Sequence, residues 1–237
     1  MKKLTALLLI SFITITVQAQ NLKPYLVGYK STQSLNATKT QVLENLKKNG
    51  LEVVGQYEPA NDDSRYVIIF TSSELKSAVS KVGGLTGFAL TLRVGLTKSG
   101  SEIIVSYTNP DYWGNAYFRD DFSSVSSNYS ALTLKLKKAM NATSSYDGTG
   151  FGSKDGIPAE DLHDYQYMMG MPYFDDTEEL EDFDSFNEAV ATIDANLDGS
   201  SSNVKLVYKT VLADKKLALY GIALEGENGE SDFLPTI

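Results

Sequence analysis

Thioether and imidazole side chains come close together in and just before the stretch YMMGMPYFDD, residues 167–176. Met168 and Met171 are three positions apart, and His163, the single histidine of the chain, precedes Met168 by five. Soft ligands of this kind suit an ion such as Cu(I), or a haem iron. One interpretation is therefore a metal- or haem-handling protein, or an enzyme, that uses His163, Met168 and Met171.

The same stretch also suits the protein interior, because methionine fills irregular gaps beside aromatic rings. Tyr165, Tyr167 and Met169 alternate as on one face of a strand, and Pro172 favours the end or an exposed edge of that strand. We predict that YQYMMGM is a strand packed beneath the helix of residues 185–197, with no cofactor bound. The metal or haem interpretation is the alternative.

A second group of candidate residues combines aromatic rings with amides around the Asn109-Pro110 step. Such rings can stack on a sugar or another flat ligand while amide and carboxylate groups hydrogen-bond to its hydroxyls. Rings at this spacing could equally close the end of a sheet. We predict a ligand-binding site formed by Tyr107, Asn109, Tyr112, Trp113, Asn115 and Tyr117.

The third candidate is a run of acidic residues between positions 175 and 184. Several oxygen ligands on a loop suit calcium, but the D-x-D-x-D-G pattern of a calcium loop is missing. A run of charges is usually a solvated connection. We therefore expect an exposed acidic segment.

Familiar catalytic groups are scarce. The chain has no cysteine, which excludes thiolate nucleophiles and cysteine-ligated metals. No serine stands in a G-x-S-x-G elbow, and a single histidine leaves little for a hydrolytic triad. A pair of glycosidase carboxylates stays open, because any two of the 30 acidic residues could converge. We expect a non-catalytic protein that binds a small molecule or a protein partner.

The first residues, MKKLTALLLISFITITVQAQ, combine two lysines, an apolar run and small residues before the end of the stretch. This is the pattern of a signal peptide over residues 1–19, cleaved near Ala19, although an uncleaved anchor is the alternative. We predict export to the periplasm or to the outside of the cell. Without cysteine, the fold must rest on buried apolar surface rather than on disulfides.

The chain is acidic, with a formal net charge of −9. Phosphate backbones and anionic lipid surfaces would be repelled, so we expect no nucleic-acid partner. No stretch after the predicted signal peptide reaches the roughly 20 apolar residues that a membrane span needs. We therefore expect no membrane span in the mature chain.

The elements that must position these residues alternate between strands and helices. Period-two and helical spacings, punctuated by Gly, Pro, Asn and Asp, define them. The predicted elements are a strand at 25–31, a helix at 35–49, strands at 51–60 and 64–72, a helix at 74–84, a hairpin at 87–110, an aromatic-rich connection at 111–128, helices at 129–140 and 185–197, and strands at 203–214 and 216–226.

The order helix, strand, turn, strand occurs twice, in residues 35–71 and again from residue 186 onwards. We predict one α+β domain at residues 20–140, a linker loop at 141–158 and a second, related domain at 159–237. Any amphipathic helix needs similar spacing, so both duplication and coincidence stay open. At a constant offset of 151, Leu35, Val42, Asn45 and Leu46 correspond to Phe186, Ile193, Asn196 and Leu197.

Residues 27–110 resemble the family known as domain of unknown function 302, through QVLENLKKNGLEVVGQYEP, ELKSAVSKVGG and ALTLRVGLTKSGSEIIVSYTNP. The second half resembles the extra region of exported, longer relatives. The resemblance implies an α+β fold of two related subdomains, each a curved antiparallel sheet with helices on one face, as in the TATA-binding protein. It also implies a homodimer, or two tandem halves that supply the same pairing internally. It brings no activity and no functional residues.

Overall fold

The computed structural model describes residues 21–198 and 204–224, and the predicted signal peptide at residues 1–19 lies outside them. The strands are β1 (Tyr25–Ser31), β2 (Leu51–Tyr57), β3 (Arg65–Ser72), β4 (Leu92–Ser99), β5 (Glu102–Thr108), β6 (Gly150–Phe151), β7 (Val204–Leu212) and β8 (Leu217–Leu224). The α-helices are α1 (Leu35–Lys48), α2 (Ser73–Val82), α3 (Pro110–Phe118), α4 (Phe122–Asn141) and α5 (Phe186–Asp198).

All of these strands lie in one antiparallel sheet, in the order β6-β1-β5-β4-β3-β2-β7-β8. The second half of the chain adds the hairpin β7-β8 to the sheet of the first half, through β2. The predicted linker at 141–158 also contributes, because Gly150 and Phe151 pair with β1. The α+β class that the sequence predicts is confirmed. None of the described helices is long and apolar enough to cross a membrane.

The two faces of the sheet differ in what covers them. Along β3 the side chains alternate, so Ile68 and Phe70 join the main core with residues of α1, α2 and α4. Val67 and Ile69 belong to a smaller cluster on the opposite face, together with Tyr208 of β7. We call this opposite face the open face.

Helices α1 and α2 begin where serine hydroxyls cap them. The Ser34 hydroxyl accepts a hydrogen bond from the Ala37 amide at 3.3 Å, and the Ser72 hydroxyl accepts one from the Leu75 amide at 3.3 Å. Such caps satisfy backbone amides that have no partner within the helix. Leu46 of α1 is fully buried against the sheet, and this burial contributes roughly 1.5–3 kcal/mol.

The hairpins β2-β3 and β7-β8 carry the same irregularity. The register of β2 against β3 shifts between Val53 and Gly55, and that of β7 against β8 shifts between Leu206 and Tyr208. The residues that follow these two shifts, Gly55 and Tyr208, pair with each other where β2 meets β7. A Cβ atom on Gly55 would lie 2.4 Å from the Val207 carbonyl oxygen, so only glycine allows this approach. The segments α1-β2-β3 and α5-β7-β8 therefore share a β-bulge in addition to the similar spacing of apolar residues in their helices.

Two predicted elements are wrong. The segment YQYMMGM is not a buried strand, because the chain reverses at Gly170, where φ is 89°, and Met169 is 97% exposed. Its only ladder contact is an isolated bridge between Gln166 and Tyr173. The connection predicted at 111–128 is instead helical, because Asn109 caps α3 and Pro110 occupies its first turn. The acidic run at 175–184 is mostly exposed, as expected.

Candidate functional site

A cavity of about 110 Å³ lies at the open face, beside the end of the sheet where α3 begins. Its walls come from β4, β7, β8, α3 and the 3-10 turn at Gly84–Leu90. We call it the aromatic cavity. The lining residues that matter below are Phe88, Thr91, Arg93, Trp113, Tyr117 and Tyr208.

Helix α3 supplies two of the rings. Trp113 and Tyr117 are four residues apart, so they lie on the same side of the helix. Their rings stack with centroids 5.9 Å apart and planes 23° apart. The Trp113 indole nitrogen donates a hydrogen bond to the Pro24 carbonyl at 3.0 Å, which fixes the ring orientation.

Phe88 extends this row of rings to the rim of the cavity. Its ring stacks on Tyr117 with a centroid distance of 6.1 Å and an interplanar angle of 30°. Phe88 is 42% exposed, so its outer side faces solvent. Three rings therefore form a continuous aromatic wall from α3 to the cavity mouth.

The second half of the chain contributes Tyr208. The Thr91 hydroxyl donates to the Tyr208 phenol oxygen at 3.3 Å, which ties β7 to the cavity. The Tyr208 ring lies over Gly221, where an added Cβ atom would be only 1.8 Å from the ring. Glycine on β8 therefore makes room for this tyrosine.

Arg93 on β4 is half-buried and has no carboxylate partner among the described residues. The other two arginines of the chain are ion-paired. Arg65 lies 3.5 Å from Asp62, and Arg119 lies 2.8 Å from an Asp164 oxygen and also pairs with Asp175.

The charge of Arg93 acts within the aromatic cavity. Burial raises the pKa of the Tyr117 phenol, and the positive charge of Arg93 offsets part of that rise. Arg93 and Tyr208 also line a second, smaller depression of about 40 Å³, farther along the open face beside Tyr57 and Ile69. Arg93 thus lines two depressions on one face.

Trp113 and Tyr117 are the two members of the predicted six-residue site that line the aromatic cavity. Tyr107 points into the main core, where its hydroxyl lies 2.7 Å from that of Tyr146. Burial raises the pKa of the Tyr107 phenol. Tyr112 is buried and contacts Trp113 edge-on, with ring centroids 5.6 Å apart.

The two predicted amides stabilise α3 instead of facing this cavity. Asn109 donates to the Lys23 carbonyl at 2.8 Å, and its side-chain oxygen accepts from the Asp111 amide at 3.2 Å. Asn115 donates to the Asp111 carbonyl at 2.8 Å. Asn109 also borders a larger, open depression of about 410 Å³ near Lys23 and Gly148, which contains none of the rings of the aromatic cavity.

The residues of the alternative metal site, His163, Met168 and Met171, lie outside the lining of the aromatic cavity. His163 Nδ1 is 3.2 Å from an Asp120 carboxylate oxygen. Met168 and Met171 flank a tight turn, in which the Met171 amide donates to the Met168 carbonyl, and both side chains are exposed. Within residues 21–198 and 204–224, no group of three His, Asp or Glu side chains could hold a metal ion. A thioether and imidazole site stays a prediction.

Residues 164–176, which we call the strap, are attached beside α3. Arg119 pairs with Asp164 and Asp175, one from each end of the strap. The Phe174 ring meets Trp113 edge-on at 5.7 Å and Tyr117 edge-on at 5.4 Å. The strap therefore packs against two of the rings that line the aromatic cavity, Trp113 and Tyr117.

Arg93, Phe88 and Tyr208 were not among the residues predicted from the sequence. Arg93 lies between the apolar residues Leu92 and Val94 of the alternating series Leu92, Val94, Leu96. This alternation indicates that the Arg93 side chain lies on the face of the strand away from the core. No comparable signal exists for Tyr208, because its place depends on the long-range pairing of β2 with β7.

Comparison with solved structures shows a likeness in fold. No protein-family model matches the chain, and no curated protein matches it. A crystal structure of an uncharacterized conserved protein of the domain of unknown function 302 family, from Bacillus stearothermophilus, is similar over 47% of this chain and 96% of that chain. The TM-score is 0.37 and the sequence identity 15%. It is the family that the sequence resembles. That relative is described as uncharacterized, so it brings no function.

Proposed function

We propose that the protein is an exported, non-catalytic binding protein whose small-molecule ligand occupies the aromatic cavity. The observation that carries this proposal is the convergence of three rings and an arginine on one cavity, where no carboxylate of residues 21–198 and 204–224 pairs with the arginine. Export rests on the signal-peptide pattern of residues 1–19.

The cavity suits one flat ring. Its volume of about 110 Å³ is somewhat below the roughly 150 Å³ of a cavity that binds benzene. The solvent-facing rim at Phe88 would let a larger ligand extend outward. Stacking on such rings contributes about 0.5–1.5 kcal/mol per pair beyond the buried area.

The cavity lining favours binding over catalysis. It contains no histidine, lysine, aspartate or glutamate among the described residues. Burial raises the pKa of the Tyr117 phenol, so this group stays protonated at neutral pH and is a poor general base. A ligand would meet hydrogen-bond donors and rings but no nucleophile with an adjacent base.

Trp113 is the single tryptophan of the chain, so its fluorescence reports directly on the cavity. We expect a saturable change when the purified protein is titrated with some members of a panel of oligosaccharides and small aromatic compounds. Indifference of Trp113 to the whole panel, confirmed by an unchanged melting temperature, would contradict the proposal.

A matched pair of phenylalanine variants locates the site. Phe88 and Phe151 are 42% and 37% exposed, and the ring of each contacts a tyrosine ring, but of the two only Phe88 lines the cavity. We expect Phe88→Ala to weaken ligand binding several-fold and Phe151→Ala to leave it unchanged. Equal effects of both variants would place the ligand elsewhere.

A further inference from the structure

We infer that the ligand carries a carboxylate on a flat apolar ring, and that Arg93 binds this carboxylate. The inference rests on the proposed function, because it names the ligand class of the same cavity. Its basis is the position of Arg93 between the aromatic wall and Tyr208.

The electrostatics of the cavity favour an anion. Neither the aromatic cavity nor the smaller depression beside it is lined by any acidic side chain of the described residues. The protein as a whole carries a net charge of −9, so carboxylates are abundant elsewhere. A half-buried guanidinium that no carboxylate of the described residues neutralises has an unmet preference for an anion.

Carboxylate matches the donors present. Guanidinium presents a planar fork of N–H groups that can donate two parallel hydrogen bonds to one carboxylate. The Thr91 hydroxyl donates to the Tyr208 oxygen, which leaves the Tyr208 proton free to donate to the ligand. Thr108 supports the strand beneath, because its hydroxyl accepts from the Arg93 backbone amide at 3.0 Å.

A sugar fits the same cavity less well. Recognition of sugar hydroxyls relies on amides, which both donate and accept hydrogen bonds, and on carboxylates, which accept them. Asn109 and Asn115 are engaged with backbone groups of α3 and its neighbours, and they do not line the cavity. The described part of the lining therefore has rings, hydroxyls and a guanidinium but no amide or carboxylate side chain.

The test compares two probes of nearly the same shape. Benzoate and benzamide share one ring, but only benzoate carries a charge. The full protein is titrated with each at matched ionic strength, and the Trp113 fluorescence is recorded. We expect benzoate to bind about ten- to a hundredfold more tightly than benzamide, the range of a charge-assisted hydrogen bond. Added salt should reduce this preference.

Variants assign the preference to Arg93. Arg93→Gln should bring the benzoate and benzamide affinities to within about twofold of each other, while Arg93→Lys should keep part of the preference. Lys98→Gln is the matched control, because it removes one positive charge from an exposed position on the same strand. It should leave the benzoate affinity unchanged. Circular dichroism and the melting temperature check that each variant is folded.

Equal binding of benzoate and benzamide to the unmodified protein would overturn the carboxylate inference and leave the proposed function standing. Retention of the full preference in a folded Arg93→Gln protein would overturn it as well. Silence of Trp113 toward benzoate, benzamide and the wider panel would overturn both the inference and the proposed function. If Arg93→Gln does not fold, an unaltered preference in Arg93→Lys would count against the inference.

Discussion

The units α1-β2-β3 and α5-β7-β8 share a plan but differ in burial. Each begins with a serine cap, since the Ser34 hydroxyl accepts from the Ala37 amide and that of Ser185 from the Glu188 amide. Each has a bulge in its first strand. Helix α1 nevertheless buries Val42 and Leu46, whereas α5 buries no residue fully.

The difference in burial indicates that the two units have different structural roles. The first unit supplies the main core, and the second extends the sheet and supplies part of the aromatic cavity. Gly55 and Tyr208 follow the two bulges and pair across the junction. Because Gly55 of the first unit has no side chain, the side chain of Tyr208 in the second unit can lie on the open face.

The largest expected contrast is between Leu46→Ala and Leu197→Ala, at corresponding positions of α1 and α5. Leu46 is fully buried, so its truncation should cost about 2–5 kcal/mol in the free energy of unfolding. Leu197 is only half-buried, and its truncation should cost about 1 kcal/mol or less. Urea unfolding measures both, and equal losses would show that α5 is as deeply packed as α1.

The next contrast concerns the glycine beneath Tyr208. Gly221→Ala places a Cβ atom 1.8 Å from the Tyr208 ring, which must shift. We expect a loss of about 1–3 kcal/mol and a weaker response of Trp113 to ligand. Gly87→Ala is the control, because its Cβ atom would meet nothing closer than Leu217 at 3.9 Å. A neutral Gly221→Ala would mean that β7 and β8 separate easily.

A smaller contrast separates Asn45 from its counterpart Asn196. Asn45 is buried and donates to the Thr143 hydroxyl at 2.7 Å, so Asn45→Ala should cost about 1–2 kcal/mol. Asn196 is exposed, and Asn196→Ala should change the free energy of unfolding by less than about 0.5 kcal/mol. Similar values in urea unfolding would remove this distinction between the units.

The smallest effect is the pH dependence of the ion pair that joins α5 to β7. The hydrogen bond from Lys209, at 2.6 Å, lowers the pKa of Asp194 below its ordinary value of 3.8. A lowered carboxyl pKa contributes stability above the ordinary value, and this stability is lost as the pH falls through the folded-state pKa. At neutral pH the Asp194→Asn variant should therefore be less stable than the unmodified protein. On acidification its free energy of unfolding should fall by less than that of the unmodified protein. Urea midpoints from about pH 7 to about pH 3 measure this.

Local patterns predicted much of the fold. Alternating Leu92, Val94 and Leu96 and the helical spacing of Val42 and Leu46 are short-range signals, and they placed β4 and α1. Helix α3 is not predicted, because Pro110 suits the end of the hairpin at 87–110, although proline is also favoured in the first turn of a helix.

The candidate site was only partly predictable. Trp113 and Tyr117 were found because rings cluster along one short segment. Arg93 is 20 positions before Trp113 in the chain, and Tyr208 joins the site through the long-range pairing of β7 with β2 at Gly55. The exposed turn at Met168 was misplaced because methionine and tyrosine suit a core, whereas the positive φ at Gly170 is invisible in the sequence.

The location of bound benzoate tests the central claim most directly. In two-dimensional NMR spectra of the amide groups, the single Trp113 indole signal and the amides of Thr91, Arg93 and Tyr208 should shift together as benzoate is added. The amides of α1 and α4, on the covered face of the sheet, should not move. Shifts confined to the neighbourhood of His163, Met168 and Met171, with Trp113 unchanged, would contradict the account.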